Sequence, residues 1–207
     1  TGIMPDFIVV DGKEGGTGAA PLEFTDHIGV PMREGLLFVH NTLVGCGLRE
    51  QIKLGASGKI VSAFDIACVL AIGADWANSA RGFMFAIGCI QSRSCHTNKC
   101  PTGVATQDPL RQRALVPEDK AQRVFNFHRN TLRGLAEMLA AAGLEHPAQL
   151  DAKHLVRRMS ASEIKLFSQQ HVFLKPGELL DDQQVTGEFY QRMWQMARTD
   201  SFDAAQA

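Results

Sequence analysis

The sequence predicts an α/β fold in which consecutive strand–helix units build a parallel sheet. Three observations carry that expectation. Short apolar runs rich in β-branched residues recur along the first half of the chain. Each is followed by a glycine-containing loop and then by a helical stretch. The glycine loops follow the strands, on the face where βα folds bind their ligands.

The first unit opens with Phe7-Ile8-Val9-Val10, bounded by Asp11-Gly12, and reads as a strand buried on both faces. The loop Gly12 to Pro21 follows, and Pro31 to Val44 reads as a helix that ends at Gly45 and Gly47. Gln51 to Leu54 is a short strand leading into Gly55-Ala56-Ser57-Gly58-Lys59. Ile60 to Ile72 is a helix stopped by Gly73. Trp76 to Ala80 is a third strand, leading through Arg81-Gly82 to a cysteine-rich loop.

Beyond the cysteines the pattern turns helical. A helix opens at Pro117 and closes at Gly143, with Phe125, Leu132, Leu135 and Leu139 at helical spacing and His128 on the same stripe as a packed residue. Ser160-Ala161-Ser162-Glu163 is a capping-box pattern ahead of another helix. A last helix covers about Asp182 to Arg198, its Phe189, Met193, Trp194 and Met196 packing on the body or on a partner. Residues 1–113 thus form the βα units with the cysteine loop, and residues 114–207 a helical extension.

The chain has 207 residues, 45% of them hydrophobic and 21% charged, as expected of a domain with an apolar core. Its net charge of −1 points to no nucleic acid and no anionic membrane surface. The odd count of five cysteines, without secretory features, suggests a reducing, cytoplasmic setting. Cys46 and Cys68 lie in apolar helical contexts and read as small core residues. The chain starts at Thr1 and enters a strand almost at once, which suggests the C-terminal part of a longer polypeptide.

Three cysteines, Cys89, Cys95 and Cys100, share one loop with the spacing C-x5-C-x4-C. Thiolates clustered in one loop are the natural ligands of an iron–sulfur cluster, and three ligands suit a 3Fe-4S cluster. A zinc site that adds His96, or three inert cysteines, remains open on spacing alone. Two further loops close consecutive βα units, Gly55 to Lys59 and Ser79 to Gly82. Adjacent loops of this kind match the phosphate site that follows the last two strands of a βα barrel, and Lys59 and Arg81 add positive charge there.

These residues resemble the glutamate synthases. Asp11-Gly-Lys-Glu-Gly-Gly-Thr-Gly-Ala-Ala-Pro21 is similar to their GHDGGTGASP loop, and Gly55 to Asp65 to their ADGGLKTGRD segment. Gly88-Cys89 through Gln107 resembles their GC-x5-CH-x3-CP-x-G-x-ATQ signature. Order and spacing agree over about the first 110 residues, and the wording is most similar to single-chain FMN-binding glutamate synthase proteins.

The resemblance implies the C-terminal part of a (β/α)8 TIM barrel with a helical extension, carrying FMN beside a 3Fe-4S cluster. It implies reductive amination of 2-oxoglutarate to glutamate, with electrons passing through the cluster to FMN and hydride reaching 2-iminoglutarate. By position, Cys89, Cys95 and Cys100 are the cluster ligands. Ser57, Gly58, Lys59, Ala80 and Arg81 face the FMN phosphate, and Gly15, Gly16 and Thr17 line the same face. Ser57 stands where the family has aspartate, Lys59 where it has glycine, and Ala80-Arg81 where it has Gly-Thr. A lysine does not follow a glycine-only backbone angle, but its charge compensates at a phosphate.

The implied partners are 2-oxoglutarate, an ammonia source, an electron donor (ferredoxin or an NAD(P)H-oxidising subunit) and the missing N-terminal barrel half. The residues that bind the oxoacid lie upstream, so catalytic residues are unassigned; an upstream membrane anchor occurs in some single-chain relatives. The rival readings are another amino-acid-forming activity, such as an N-methylglutamate synthase subunit, and a non-catalytic electron-transfer or assembly subunit. Three strands cannot close a barrel, so the first and last expose unpaired edges and apolar faces, and the isolated segment is expected to oligomerise and to hold FMN weakly.

Overall fold

A computed structural model describes residues 3–14, 20, 23–24, 27–181 and 187–201. Strands β1 (Phe7–Asp11), β2 (Lys53–Ser57) and β3 (Trp76–Asn78) form a parallel sheet in the order β1-β2-β3. Phe7 pairs with Lys53, and Gly55 pairs with Trp76. Helix α1 (Met32–Gly45) connects β1 to β2, and α2 (Ala63–Ile72) connects β2 to β3. Parallel neighbours require such crossovers, so the α/β reading holds for these units.

The elements shift by a few residues from the sequence reading. The second strand begins two residues later and absorbs Gly55 to Ser57, because the ladder with β1 continues to Asp11–Ser57. The third strand stops at Asn78, and Arg81–Ile87 form a short helix, α3, before the cysteine loop.

The first strand is not buried on both faces. Phe7 and Val9 are 58% and 40% exposed, while Ile8 and Val10 pack against the core. β1 pairs only with β2 and β3 only with β2, so both are edges and one face of β1 stands open among the described residues. That is the exposed apolar edge expected of three strands that cannot close on themselves.

The core lies between the sheet and the first two helices. Leu36, Leu54, Ile60, Val69 and Ile72 are at most 1% exposed. Ser62 and Asp65 form a capping box that starts α2, with Asp65 N–H donating to Ser62 Oγ and Ser62 N–H donating to Asp65 Oδ2. At the amino ends of the strands, Arg49 pairs with Asp75 at 2.8 Å and donates to the Gly73 carbonyl. Asp75 also accepts the Leu54 N–H at 2.7 Å.

Helices α4 (Pro109–Gln112) and α5 (Pro117–Ala141) follow the cysteine loop. α5 packs on α2 and α3, with Leu135 and Leu139 buried against Ala67. Phe125 and Leu132 are 56% and 48% exposed, contrary to the expected stripe. The inward face is centred instead on Phe127, whose ring meets Phe83 edge-on at 5.2 Å. His128 is exposed rather than packed inside, although its ring tilts against Phe83.

Ser160 to Glu163 do not cap a helix. They form the turn of an antiparallel hairpin between β4 (Val156–Arg158) and β5 (Ile164–Leu166). Met159 N–H donates to the Glu163 carbonyl at 2.9 Å, and the cross-strand ladder outcompetes a local cap. A helix follows the hairpin but has only four residues, α6 (Phe167–Gln170). The last helix, α7, is Glu188–Met196, shorter than the expected 182–198, of which residues 182–186 lie outside the described residues. Phe38 on α1 stacks on Tyr190 and meets Phe189 edge-on, so α7 packs on the body.

A buried amide joins the part of the chain after the hairpin to α1. Asn41, 1% exposed on α1, donates through Nδ2 to the Val172 carbonyl and to Tyr190 Oη, both at 2.8 Å. Its Oδ1 accepts the Leu174 N–H at 3.2 Å. Asn41→Leu removes three hydrogen bonds made from a buried side chain and is expected to cost about 3 kcal/mol of unfolding free energy in urea titration. Tyr190→Phe removes one and is expected to cost about 1 kcal/mol.

Burial pushes His40 down from 6.5 to about 4, and the Arg49 cation acts the same way against Asp75 and the Gly73 carbonyl. Folded His40 therefore stays neutral where the unfolded chain takes up a proton. Its contribution is complete above pH 6.5 and drains as pH falls from 6.5 towards 4, by roughly 2–3 kcal/mol. Burial also lowers His171, which adds in the same direction. Urea midpoints measured across this range should fall with pH, and His40→Gln should flatten the slope.

Candidate functional site

Three βα loops meet at the carboxyl ends of the strands. The Gly12 N–H donates to the Ser57 carbonyl at 3.0 Å, tying the first loop to the second. Ser79 Oγ donates to the Ile60 carbonyl at 2.7 Å, tying the third loop to the second. Glu14 in the first loop accepts the Met32 N–H at 2.9 Å and so fixes the entry to α1. Ser57 pairs with Asn78, and the Ser79–Ile60 bond joins the loop of Ser57, Gly58 and Lys59 to the one that leads to Ala80 and Arg81. Gly15, Gly16 and Thr17 lie outside the described residues.

The second loop turns through an angle only glycine tolerates. Gly58 sits at φ +141, buried against Met32, whereas Lys59 sits at φ +48. The glycine-only angle thus falls at Gly58, and Lys59 takes the ordinary left-handed region that any residue reaches at modest cost. Lys59 is exposed, and Ser57 is half-buried at the end of β2. Ala80 caps α3 without a side-chain bond, and Arg81 is its first residue. Gly82 lets α5 approach: a Cβ there would stand 2.7 Å from the Phe127 ring.

Beyond α3 the chain turns at Gly88 into the cysteine loop. None of the five cysteines forms a disulfide. Cys89 and Cys95 are half-buried, while Cys100 is 5% exposed. Cys68 is buried inside α2, as expected, and Cys46 caps α1 at intermediate exposure. Burial raises the thiols of both.

Cys100 behaves oppositely. Burial pushes its thiol up, but the Thr102 hydroxyl and the N–H groups of Ala105, Thr102 and Val104 more than offset this and hold it at about 7. Such a donor array favours a thiolate, the ligand form of cysteine.

The loop is pinned by residues the sequence reading left without a role. Asn98 takes a left-handed turn at φ +61. Its Oδ1 accepts the Gln107 N–H at 2.6 Å, and the Thr106 hydroxyl donates to its carbonyl at 2.7 Å. Gln112 Nε2 then donates to the Thr106 carbonyl at 2.7 Å, joining α4 to the loop. An asparagine between two cysteines was the available signal, since asparagine tolerates this backbone and bonds to nearby N–H groups.

Among the described residues, non-glycine left-handed backbone occurs at Lys59, Gln91, Arg93 and Asn98. All four lie in the phosphate-side and cysteine loops. Strain of this kind concentrates where a fold over-determines its backbone around a site.

The three cysteines share one loop, yet among the described residues no three His, Cys, Asp or Glu side chains converge on a point suited to one metal ion. A cluster makes a different demand, because its thiolates bind separate irons and stand further apart. The donor set therefore fits a cluster in chemistry: three cysteines outside disulfides, one of them ringed by N–H donors. A cleft of about 630 Å³ touches Gly58 and Lys59 but neither Arg81 nor the cysteine loop. It is a groove between α1, α2 and the β4–β5 hairpin, so volume alone does not locate the site. Among the described residues no helix is long and apolar enough to cross a membrane.

Comparison with known proteins bears on this arrangement. Residues 2–145 match the family model described as the conserved region in glutamate synthase. The chain belongs to the glutamate synthase family. The glutamate synthase large subunit-like protein YerD of Bacillus subtilis (strain 168) is 45% identical over 175 residues, 84% of this chain and 33% of that protein. The archaeal glutamate synthase (NADPH) of Methanocaldococcus jannaschii is 40% identical over 139 residues, 67% of this chain and 27% of that protein. The chloroplastic ferredoxin-dependent glutamate synthase of Oryza sativa subsp. japonica is 36% identical over 172 residues, 82% of this chain and 10% of that protein. The chain thus spans a third or less of these relatives, and the matched glutamate synthase region contains all the loops above.

If Asn98 pins the cysteine loop, Asn98→Ala should raise amide exchange across residues 89–107 at least tenfold while leaving α1 and α2 protected. Hydrogen-exchange mass spectrometry reads this directly.

Proposed function

We propose that this glutamate synthase family chain is the C-terminal portion of an FMN-binding (β/α)8 barrel that reductively aminates 2-oxoglutarate to glutamate. Residues 1–113 supply the last βα units and the cysteine loop, and residues 114–207 an extension of helices with one β-hairpin. The observation that carries the reading is the cysteine loop itself: Cys89, Cys95 and Cys100 lie within the family-matched region, on a loop held by Asn98 and Thr106.

When bound, FMN supplies hydride and a 3Fe-4S cluster supplies single electrons. The chain's own residues do the holding and the screening. Cys89, Cys95 and Cys100 offer the thiolates. Ser57 and Gly58 offer backbone at the close turn, and Lys59 and Arg81 place two cations on adjacent loops, where a phosphate dianion is favoured. Ala80 sets the start of α3, and Gly15, Gly16 and Thr17 are proposed as further FMN-binding residues. The partners proposed are 2-oxoglutarate, an ammonia source, a ferredoxin or NAD(P)H-linked electron donor, and the upstream half of the barrel.

The test uses the complete protein. Replacing Cys89, Cys95 or Cys100 by Ser should abolish the oxidised-cluster EPR signal and lower bound iron, while Cys46→Ser and Cys68→Ala leave both intact. The parent should form glutamate from 2-oxoglutarate and ammonia with a reduced donor. Unchanged iron and EPR in all three serine variants, or no glutamate with any donor, would overturn the reading.

A further inference from the structure

The three cysteines are not equivalent. Cys100 is buried, and its sulfur faces the Thr102 hydroxyl at 3.6 Å together with the N–H groups of Thr102, Val104 and Ala105. Cys89 is half-buried, and its sulfur accepts the Gln91 N–H at 3.5 Å. A thiolate only accepts hydrogen bonds, so once Cys100 is a ligand the Thr102 hydroxyl must donate to it.

We propose that Thr102 sets the reduction potential of the cluster by donating its hydroxyl to Cys100 Sγ. The inference rests on the reading of this loop as a 3Fe-4S site. The couple is a transfer of one electron from an external reductant, and no bond to sulfur breaks. Reduction therefore adds one negative charge to the cluster and its thiolates. A donor aimed at a thiolate stabilises the more negative state more, and so raises the potential. Burial of Cys100 removes competing water, which leaves this charge to the protein's own donors.

The three N–H groups are fixed by the backbone. The hydroxyl is the donor of the set that a side-chain substitution removes without altering the chain's course. Thr102 acts through Cys100 and is a tuning residue, not a catalytic one.

The experiment is a dithionite titration of the complete, cluster-loaded protein, followed by EPR, with iron content measured on every sample. Thr102→Val should keep its iron and its oxidised signal. Its ratio of reduced to oxidised cluster at a fixed poise should fall about threefold to tenfold; a tenfold change in a one-electron couple is 59 mV. Thr102→Ser, which keeps the hydroxyl, should titrate with the parent. If Thr102→Val loses iron, Thr102→Ala replaces it in the comparison. A cluster intact in the hydroxyl-free variant with an unmoved midpoint would overturn the proposal, and so would Ser and Val shifting alike. A parent protein without iron or EPR signal would overturn the cluster reading itself, a result that iron analysis separates from a failed potential shift.

Discussion

Buried backbone must be satisfied wherever ladders stop, and two asparagines, Asn41 and Asn98, each meet that demand at several groups. Asn41 spends both amide donors and its acceptor on Val172, Tyr190 and Leu174. It sits 1% exposed in the middle of α1, so the extension cannot leave without exposing three unpaired groups. A leucine at that position would suit the apolar face of the helix and lose the attachment.

The two ends of the sheet are built for different tasks. At the amino ends, Arg49, Asp75 and His40 form a compact network with the Gly73 carbonyl and the Leu54 N–H. Every member has a partner, and the outcome is stability. At the carboxyl ends the loops are tied to one another by single bonds, Gly12 to Ser57 and Ser79 to Ile60. The side chains of Lys59 and Arg81 stand on those loops, and the left-handed non-glycine residues gather there and in the cysteine loop. Backbone strain is tolerated on the face that faces a ligand in βα folds.

The cysteine loop applies the same rule locally. Asn98 and Thr106 close its far end, and α4 joins it through Gln112. With those bonds made, Cys100 is held inside an array of donors that offsets its burial. The motif residues around the cysteines thus have separate jobs: some offer sulfur, and others hold the turn that presents it.

The sequence by itself determined the βα order, the positions of the crossover helices and the three cysteines of one loop. Those features are local: apolar runs, glycine turns and ligand spacing are written in consecutive residues. It also pointed to the family before any fold was in view. Only the tertiary structure decided which face of α5 is buried, because Phe125 and Phe127 are equally apolar and the choice falls to α3, across the Phe83 contact. The same holds at Ser160 to Glu163, where a sound local cap yields to the pairing of β5 with β4. Lys59 shows the limit most simply: the loop's glycine-only angle falls one residue earlier, at Gly58, where the turn lies against Met32.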